Sequence, residues 1–334
     1  MKKLIFAIAL LAVAYLAAVK QFEVEVPSVT EDSSLLAKDE QQCNLDVGLD
    51  EMTDSYEPML EAKWDLKQMG CGAVYAYEAA QASVFDIELK LMALGAQITY
   101  FIELEKRYPK LYQEGELANQ LNNRWDAARM RSENLLKQAQ KFDFIAPEVK
   151  ALHSIYLLTS TAQNTSTKTQ LKTLPIARDL MLEALINDEQ VLDGVGMQVM
   201  AKLYVDMPVF AGGNLEKGLA MFETLLTQQP SNLELHVQMI EGYLAKGEVE
   251  RQRQLLSSAT QIDSSNINLQ DRADLYRTLG GMANRLNETQ AITFFRHARE
   301  KLLAQNPQLQ SRKATAALGH GGNDPISGED PNKI

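Results

Sequence analysis

Residues 205–230 constrain the fold of this chain more than any other segment; their sequence is V-D-M-P-V-F-A-G-G-N-L-E-K-G-L-A-M-F-E-T-L-L-T-Q-Q-P. Gly212 and Gly213 supply the backbone freedom that a tight turn needs, and Asn214 is a favourable residue immediately before a helix. Apolar side chains then recur at helical spacing as far as Pro230, which cannot continue a helix. The segment therefore predicts a loop, one amphipathic helix and a stop.

A weaker copy of this pattern follows at a spacing of 34 residues, which is the period of tetratricopeptide helix hairpins. The shift carries Gly213 to Gly247. Four residues of the second copy stand at the aromatic, turn-glycine, large apolar and small positions of that repeat: Tyr243, Gly247, Leu256 and Ala259. A third helix pair, with Tyr276 and Phe295, keeps the helices but loses the spacing. Because one hairpin cannot bury its own apolar face, we expect neighbouring hairpins to stack.

The composition of the whole chain also favours helices. Of its 334 residues 46% are hydrophobic and only 10 are proline, and runs of β-branched residues are scarce. We therefore expect an all-α protein of tetratricopeptide-like hairpins stacked in a helical bundle or solenoid. The net charge of −11 repels phosphate groups, so nucleic acids and anionic membranes are poor candidate partners.

The N-terminus predicts export. Lys2 and Lys3 precede an apolar run over residues 4–19, which is typical of a signal peptide. An uncleaved anchor is the alternative, although the run is shorter than the ~20 residues that span a bilayer. No cysteine follows the L-A-A at residues 16–18, so a lipid-attachment site is not expected. We expect a protein of the periplasm or cell envelope.

The rest of the chain divides by composition into three parts. Residues 20–55 are acidic and predict a partly disordered spacer with room for one short helix. Residues 56–312 predict one helical domain, and residues 313–334 predict a disordered tail. Within the helical domain, Gly70 and Gly72 predict a turn between two helices, the second of which runs from about Val74 to Leu94 or beyond. The polar stretch 159–173 is the best candidate for a break between two halves.

The two cysteines allow two interpretations. Cys43 and Cys71 would both be exported, and a disulfide between them would close a loop of about 28 residues and stabilise the fold by roughly 3–4 kcal/mol. Alternatively, they are two thiols that never meet.

The sequence offers no constellation for catalysis, for a metal or for a cofactor. The four histidines stand far apart without a zinc-binding spacing, and no nucleophile motif or phosphate-binding loop on a suitable scaffold occurs. Methionine and phenylalanine side chains crowd around the 205–230 segment instead: Met200, Met207, Phe210, Met221 and Phe222. They either pack in a core or line a pocket for variable apolar ligands.

A family likeness lies between about residues 175 and 245. The helix I-A-R-D-L-M-L-E-A-L from Ile176, the 205–230 segment and its final Q-Q-P together resemble the T component associated with tripartite ATP-independent periplasmic (TRAP) transporters. Matching positions assign the signature turn and helix start to seven residues: Pro208, Phe210, Gly212, Gly213, Asn214, Glu216 and Lys217.

The resemblance implies an exported all-α protein that binds a periplasmic solute-binding protein, can self-associate, and takes a hydrophobic or lipid-like ligand. We therefore expect a non-enzymatic component of a solute transport system, without a cofactor. The alternative is a generic tetratricopeptide-like adaptor or scaffold of the envelope, which would hold a protein on a concave surface.

Overall fold

A computed structural model describes residues 43–63, 65–107, 116–141, 146–162 and 167–311. These described residues form helices, turns and short loops, and none of them lies in a β-strand. The all-α fold class is confirmed. The predicted signal peptide, the spacer up to residue 42 and the predicted tail lie outside the described residues. In chain order the helices are α1 (Leu49–Glu61), α2 (Leu66–Ala82), α3 (Ile87–Arg107), α4 (Glu116–Ala139), α5 (Pro147–Ala162), α6 (Thr167–Asn187), α7 (Val195–Asp206), a 3-10 turn (Val209–Ala211), α8 (Leu215–Gln228), α9 (Leu233–Lys246), α10 (Val249–Ala259), α11 (Leu269–Arg285), α12 (Thr289–Gln305) and a final 3-10 turn (Pro307–Ser311).

The described helices group into two compact units, and the one helical domain expected over residues 56–312 stays a prediction. The division falls between Asn214 and Leu215, so unit 1 contains α1–α7 and unit 2 contains α8–α12. In unit 1 each helix packs mainly against its neighbours in sequence, and α3 also packs against α5. Helix α1 begins inside the region expected to be a spacer.

The polar stretch 159–173 is not a domain boundary. Helix α5 continues to Ala162, and α5 and α6 pack against each other within unit 1. Thr159 is buried, and its hydroxyl donates to carbonyl oxygens of its own helix, at 3.1 Å from Ile155 O and 2.9 Å from Tyr156 O. A hydroxyl that is satisfied in this way does not interrupt a helix, so polar composition was a misleading signal here.

The turn expected at Gly70 and Gly72 is also wrong, because both glycines lie inside α2. A Cβ on Gly72 would come within 2.8 Å of Met59 Cβ and 3.0 Å of Tyr56 O, so the missing side chain lets α1 pass closely. The chain turns instead between α2 and α3. There the Asp86 carboxylate accepts from Leu89 N at 2.9 Å, and the buried Lys90 ammonium donates to two carbonyl oxygens at the end of α2.

The cysteines are paired. A disulfide joins Cys43 to Cys71 on α2, and the Tyr75 hydroxyl donates to Asn44 O at 2.8 Å beside it. The disulfide and this hydrogen bond therefore attach the residues before α1 to helix α2.

Unit 2 is built from helix hairpins. Helix α8 packs on α9, α9 pairs with α10, α11 pairs with α12, and α9 also packs on α11. Phe222 and Leu256, which the 34-residue shift superimposes, are both fully buried. The second hairpin turns at Gly247 and the third at Asn287, each in the left-handed conformation. A strict 34-residue repeat would put the third turn at Gly281, but α11 is long enough to contain that residue.

Candidate functional site

The candidate site is the connecting loop, residues 207–214, which carries most of the family-like signature. Pro208 O accepts hydrogen bonds from Ala211 N at 2.9 Å and from Gly213 N at 3.0 Å. Asn214 N donates to Tyr204 O on α7 at 2.8 Å, so the end of the loop is hydrogen-bonded to the helix that precedes it. These backbone bonds give the connecting loop one defined conformation.

The two glycines are required by the geometry of the connecting loop. Gly212 has a φ of 97°, a conformation that residues with a side chain rarely adopt. A Cβ on Gly213 would overlap Met207 O, so no other residue fits at that position without a shift of the backbone. The sequence-based prediction of a tight turn at this pair is confirmed.

Helix α6 holds the connecting loop from the side. The Arg178 guanidinium donates to Ala211 O at 3.3 Å and to the Asp179 carboxylate at 2.7 Å. A Cβ on Gly212 would overlap the same guanidinium, so the glycine leaves the space that Arg178 occupies. Arg178 lies in the I-A-R-D-L helix of the family likeness, but its role as an anchor for the loop could not be deduced from that pattern.

The connecting loop presents two adjacent apolar side chains to solvent. Val209 is 85% exposed and Phe210 is 81% exposed, whereas Ala211 faces inward. The expectation that Phe210 lines an apolar pocket is therefore wrong. A single 3-10 turn points its three side chains in different directions, and here the smallest one is buried.

The other residues expected to line a pocket belong to packed cores. Met200 and Met207 are buried in unit 1, Phe222 is fully buried in unit 2, and Met221 is partly exposed on α8. Of the two interpretations left open for these side chains, core packing accounts for the buried ones. A surface depression of about 430 Å³ does occur in unit 1, but its lining is different: Gln140, Val149, Lys150, His153, Leu180 and Glu183.

The last two signature residues lie in unit 2, on the first turn of α8. The exposed Glu216 carboxylate is 3.1 Å from Lys246 Nζ on α9. A second carboxylate, Glu248, is 2.8 Å from the same ammonium, and these two partners raise the pKa of Lys246 to about 12. Lys217 is exposed on the same turn. Glu216 therefore joins two neighbouring helices of unit 2.

A polar cluster in unit 2 was not predicted from the sequence. Glu223 on α8 accepts from the Tyr243 hydroxyl at 2.7 Å and from the Arg251 guanidinium, whose Nη2 lies 2.7 and 2.9 Å from its two oxygens. Burial acts to raise the pKa of Glu223, but these hydrogen bonds and the charge of Arg251 outweigh it and lower the pKa below 4.5. The three residues come from three different helices, so no local sequence spacing predicts that they meet.

The described residues hold no group of three or more His, Cys, Asp or Glu side chains that could bind a metal ion. His236 is buried on α9, with its Nδ1 3.0 Å from Asn232 O, and burial lowers its pKa. In the same part of the chain, none of the helices combines the length and apolar character needed to span a membrane.

No protein-family model matches the chain, and no curated protein matches it either.

Proposed function

We propose that this protein is an exported, non-enzymatic component of a solute transport system and that it binds a periplasmic solute-binding protein through the connecting loop. The observation that carries the proposal is the exposure of Val209 and Phe210 on a backbone held by hydrogen bonds. Exposed apolar side chains on a rigid loop are typical of binding sites, because little conformational entropy is lost when a partner covers them. The same residues belong to the segment that resembles the TRAP T component.

Two further observations support an exported location. The Cys43–Cys71 disulfide is of a kind that persists in oxidising compartments and is rare in the cytosol. The apolar run over residues 4–19 after Lys2 and Lys3 has the pattern of an export signal. Both favour a periplasmic partner over a cytosolic one.

A hydrophobic or lipid-like ligand and self-association belong to the proposal only through the family likeness. Three of the side chains expected to line a ligand pocket are packed in cores, and Phe210 is on the surface. The observations on the connecting loop therefore favour a protein partner.

The proposal is tested by binding measurements with purified solute-binding proteins from the same organism. We expect Val209→Ser and Phe210→Ser each to weaken binding by about tenfold or more, since exposed apolar anchors often carry most of an interface energy. Val249→Ser in unit 2 is the matched control, because Val249 is also exposed on the surface. Equal binding by wild type and by both loop variants would contradict the proposal.

The envelope adaptor is the second candidate, and the paired hairpins of unit 2 favour it. A scaffold of this type would bind its partner through the hairpin surface instead of the connecting loop. Loss of binding in unit 2 surface variants, with full binding by the two loop variants, would identify the adaptor.

A further inference from the structure

The surface depression of unit 1 lies where the end of α4 meets α5 and α6. Its volume of about 430 Å³ falls within the range of ligand pockets, about 300–1,000 Å³. Helices α5 and α6 pack directly against each other and supply most of the lining that the structure describes. Gln140 follows the last residue of α4; Val149, Lys150 and His153 lie on the first two turns of α5; Leu180 and Glu183 lie on α6.

The depression contains an ion pair that joins its two main helices. Lys150 Nζ on α5 is 2.7 Å from Glu183 Oε2 on α6. An ammonium group has three N–H donors and a carboxylate accepts several hydrogen bonds, so each partner can still bind a further polar group. The Lys150 side chain is mostly covered and the Glu183 side chain is more than half exposed. A ligand therefore meets one positive and one negative group side by side.

His153 adds hydrogen-bonding groups to the depression without adding charge. It is half-buried, and burial lowers its pKa, so the imidazole is neutral at pH 7. A neutral imidazole has one N–H donor and one acceptor nitrogen. Neither nitrogen has a hydrogen-bond partner in the part of the chain that the structure describes. The ring can therefore bind a ligand without giving up a contact within the protein.

Two aliphatic side chains lie next to the ion pair. Val149 is buried immediately before Lys150 in the sequence, and Leu180 is half-buried one helical turn before Glu183. Both line the depression. The apolar part of a ligand would be removed from water against these two side chains, while its polar part met the charged groups.

We propose that this depression binds a free aliphatic amino acid as its zwitterion. A single carbon atom separates the ammonium and carboxylate groups of such a ligand, so they can lie beside Glu183 and Lys150, which are themselves 2.7 Å apart. The imidazole N–H of His153 would donate to the ligand carboxylate, and a side chain the size of leucine would pack on Val149 and Leu180. The inference goes beyond the proposed function, and it does not depend on the connecting loop.

Charge argues against three simpler ligands. An aliphatic carboxylate would bind Lys150 but would bring a second negative charge to Glu183, and an aliphatic amine would bring a second positive charge to Lys150. A wholly apolar molecule would remove water from both charged groups without replacing its hydrogen bonds. A zwitterion avoids all three costs because each of its charges meets the opposite one.

The test is isothermal titration calorimetry of the full chain with leucine and with two analogues that each lack one charge. Isocaproate is leucine without its amino group, and isoamylamine is leucine without its carboxylate. Each ligand is titrated into wild type, Glu183→Gln, His153→Phe and the control Glu216→Gln. Glu216 is a matched control because its carboxylate is also exposed and ion-paired, at 3.1 Å from Lys246 in unit 2.

We expect wild type and the control to bind leucine, and Glu183→Gln and His153→Phe each to bind it about tenfold or more weakly. The two analogues should also bind wild type about tenfold or more weakly than leucine does. A leucine dissociation constant above about 1 mM for wild type would overturn the proposal. So would an analogue that binds as tightly as leucine, unchanged binding by both depression variants, or an equal loss in the control. No solute-binding protein is present, so the result is separate from the outcome for Val209 and Phe210.

Discussion

Gly213 is the residue at which the connecting loop is least tolerant of change. We expect Gly213→Ala to lower the free energy of unfolding by about 3 kcal/mol, because the added methyl group would overlap Met207 O and the backbone must move. Urea denaturation followed by circular dichroism measures the change. Gly281→Ala is the matched control: its methyl group would meet no atom within 4 Å inside α11, so we expect stabilisation of about 0.5–1 kcal/mol. A Gly213→Ala protein as stable as wild type would show that the loop is not held as described.

Glu223 makes the stability of unit 2 depend on pH. Its pKa in the folded protein is below 4.5, so its contribution is present above that pH and is lost as the pH falls through the lowered folded pKa. We expect Glu223→Gln to destabilise the protein at neutral pH, and the difference from wild type to shrink as the pH drops below 4.5. Urea unfolding at a series of pH values measures it. Glu250→Gln on α10 is the control, since its exposed carboxylate is 3.9 Å from Arg253 and should contribute little at any pH.

At the scale of single residues, the sequence predicted backbone requirements better than side-chain positions. Gly212 and Gly213 predict a turn because few other residues fit the backbone geometry of such a turn. The direction of Phe210 depends on how the 3-10 turn sits against α6, and no local pattern encodes that. The link between Glu223 and Arg251 joins residues on separate helices, so it too requires the tertiary structure.

Among the elements, the segment before α1 depends most on a covalent link. We expect Cys43→Ser/Cys71→Ser to lower the free energy of unfolding of unit 1 by about 3–4 kcal/mol, because the disulfide closes a loop of 28 residues and restricts the unfolded chain. Differential scanning calorimetry measures the loss. Reduction of the wild-type protein should reproduce it without a change of sequence. Alkylation of two thiols in the freshly exported, unreduced protein would contradict the pairing.

Helix boundaries were predicted where the turn chemistry is local and missed where packing decides. The stop at the end of α8 and the turn at Gly247 follow from Pro230 and glycine. The turn predicted at Gly72 was wrong because a glycine can serve close helix packing as well as a turn. Only the tertiary position of Met59 shows that Gly72 serves packing. The turn after α2 has neither proline nor glycine, and Lys90, the fourth residue of α3, completes it with a hydrogen bond to Ser83 O.

The division of the whole molecule into two units was the feature hardest to predict. It falls between Asn214 and Leu215, in the middle of the most regular segment of the sequence, where composition does not change. Apolar periodicity reports that each helix buries one face, but it does not report which helices share a core. The polar stretch at 159–173 therefore looked like a boundary although both of its helices belong to unit 1.

Two units with separate cores should unfold in two steps. Unit 1 buries Tyr100 and Trp125, and unit 2 buries Phe222 and Phe295, so each has the apolar core that a cooperative transition requires. We expect calorimetry of the wild-type chain to show two transitions. Cys43→Ser/Cys71→Ser should lower the temperature of one of them, and Glu223→Gln should lower the other at neutral pH. A single transition that both variants lower equally would mean that the two cores unfold as one cooperative system.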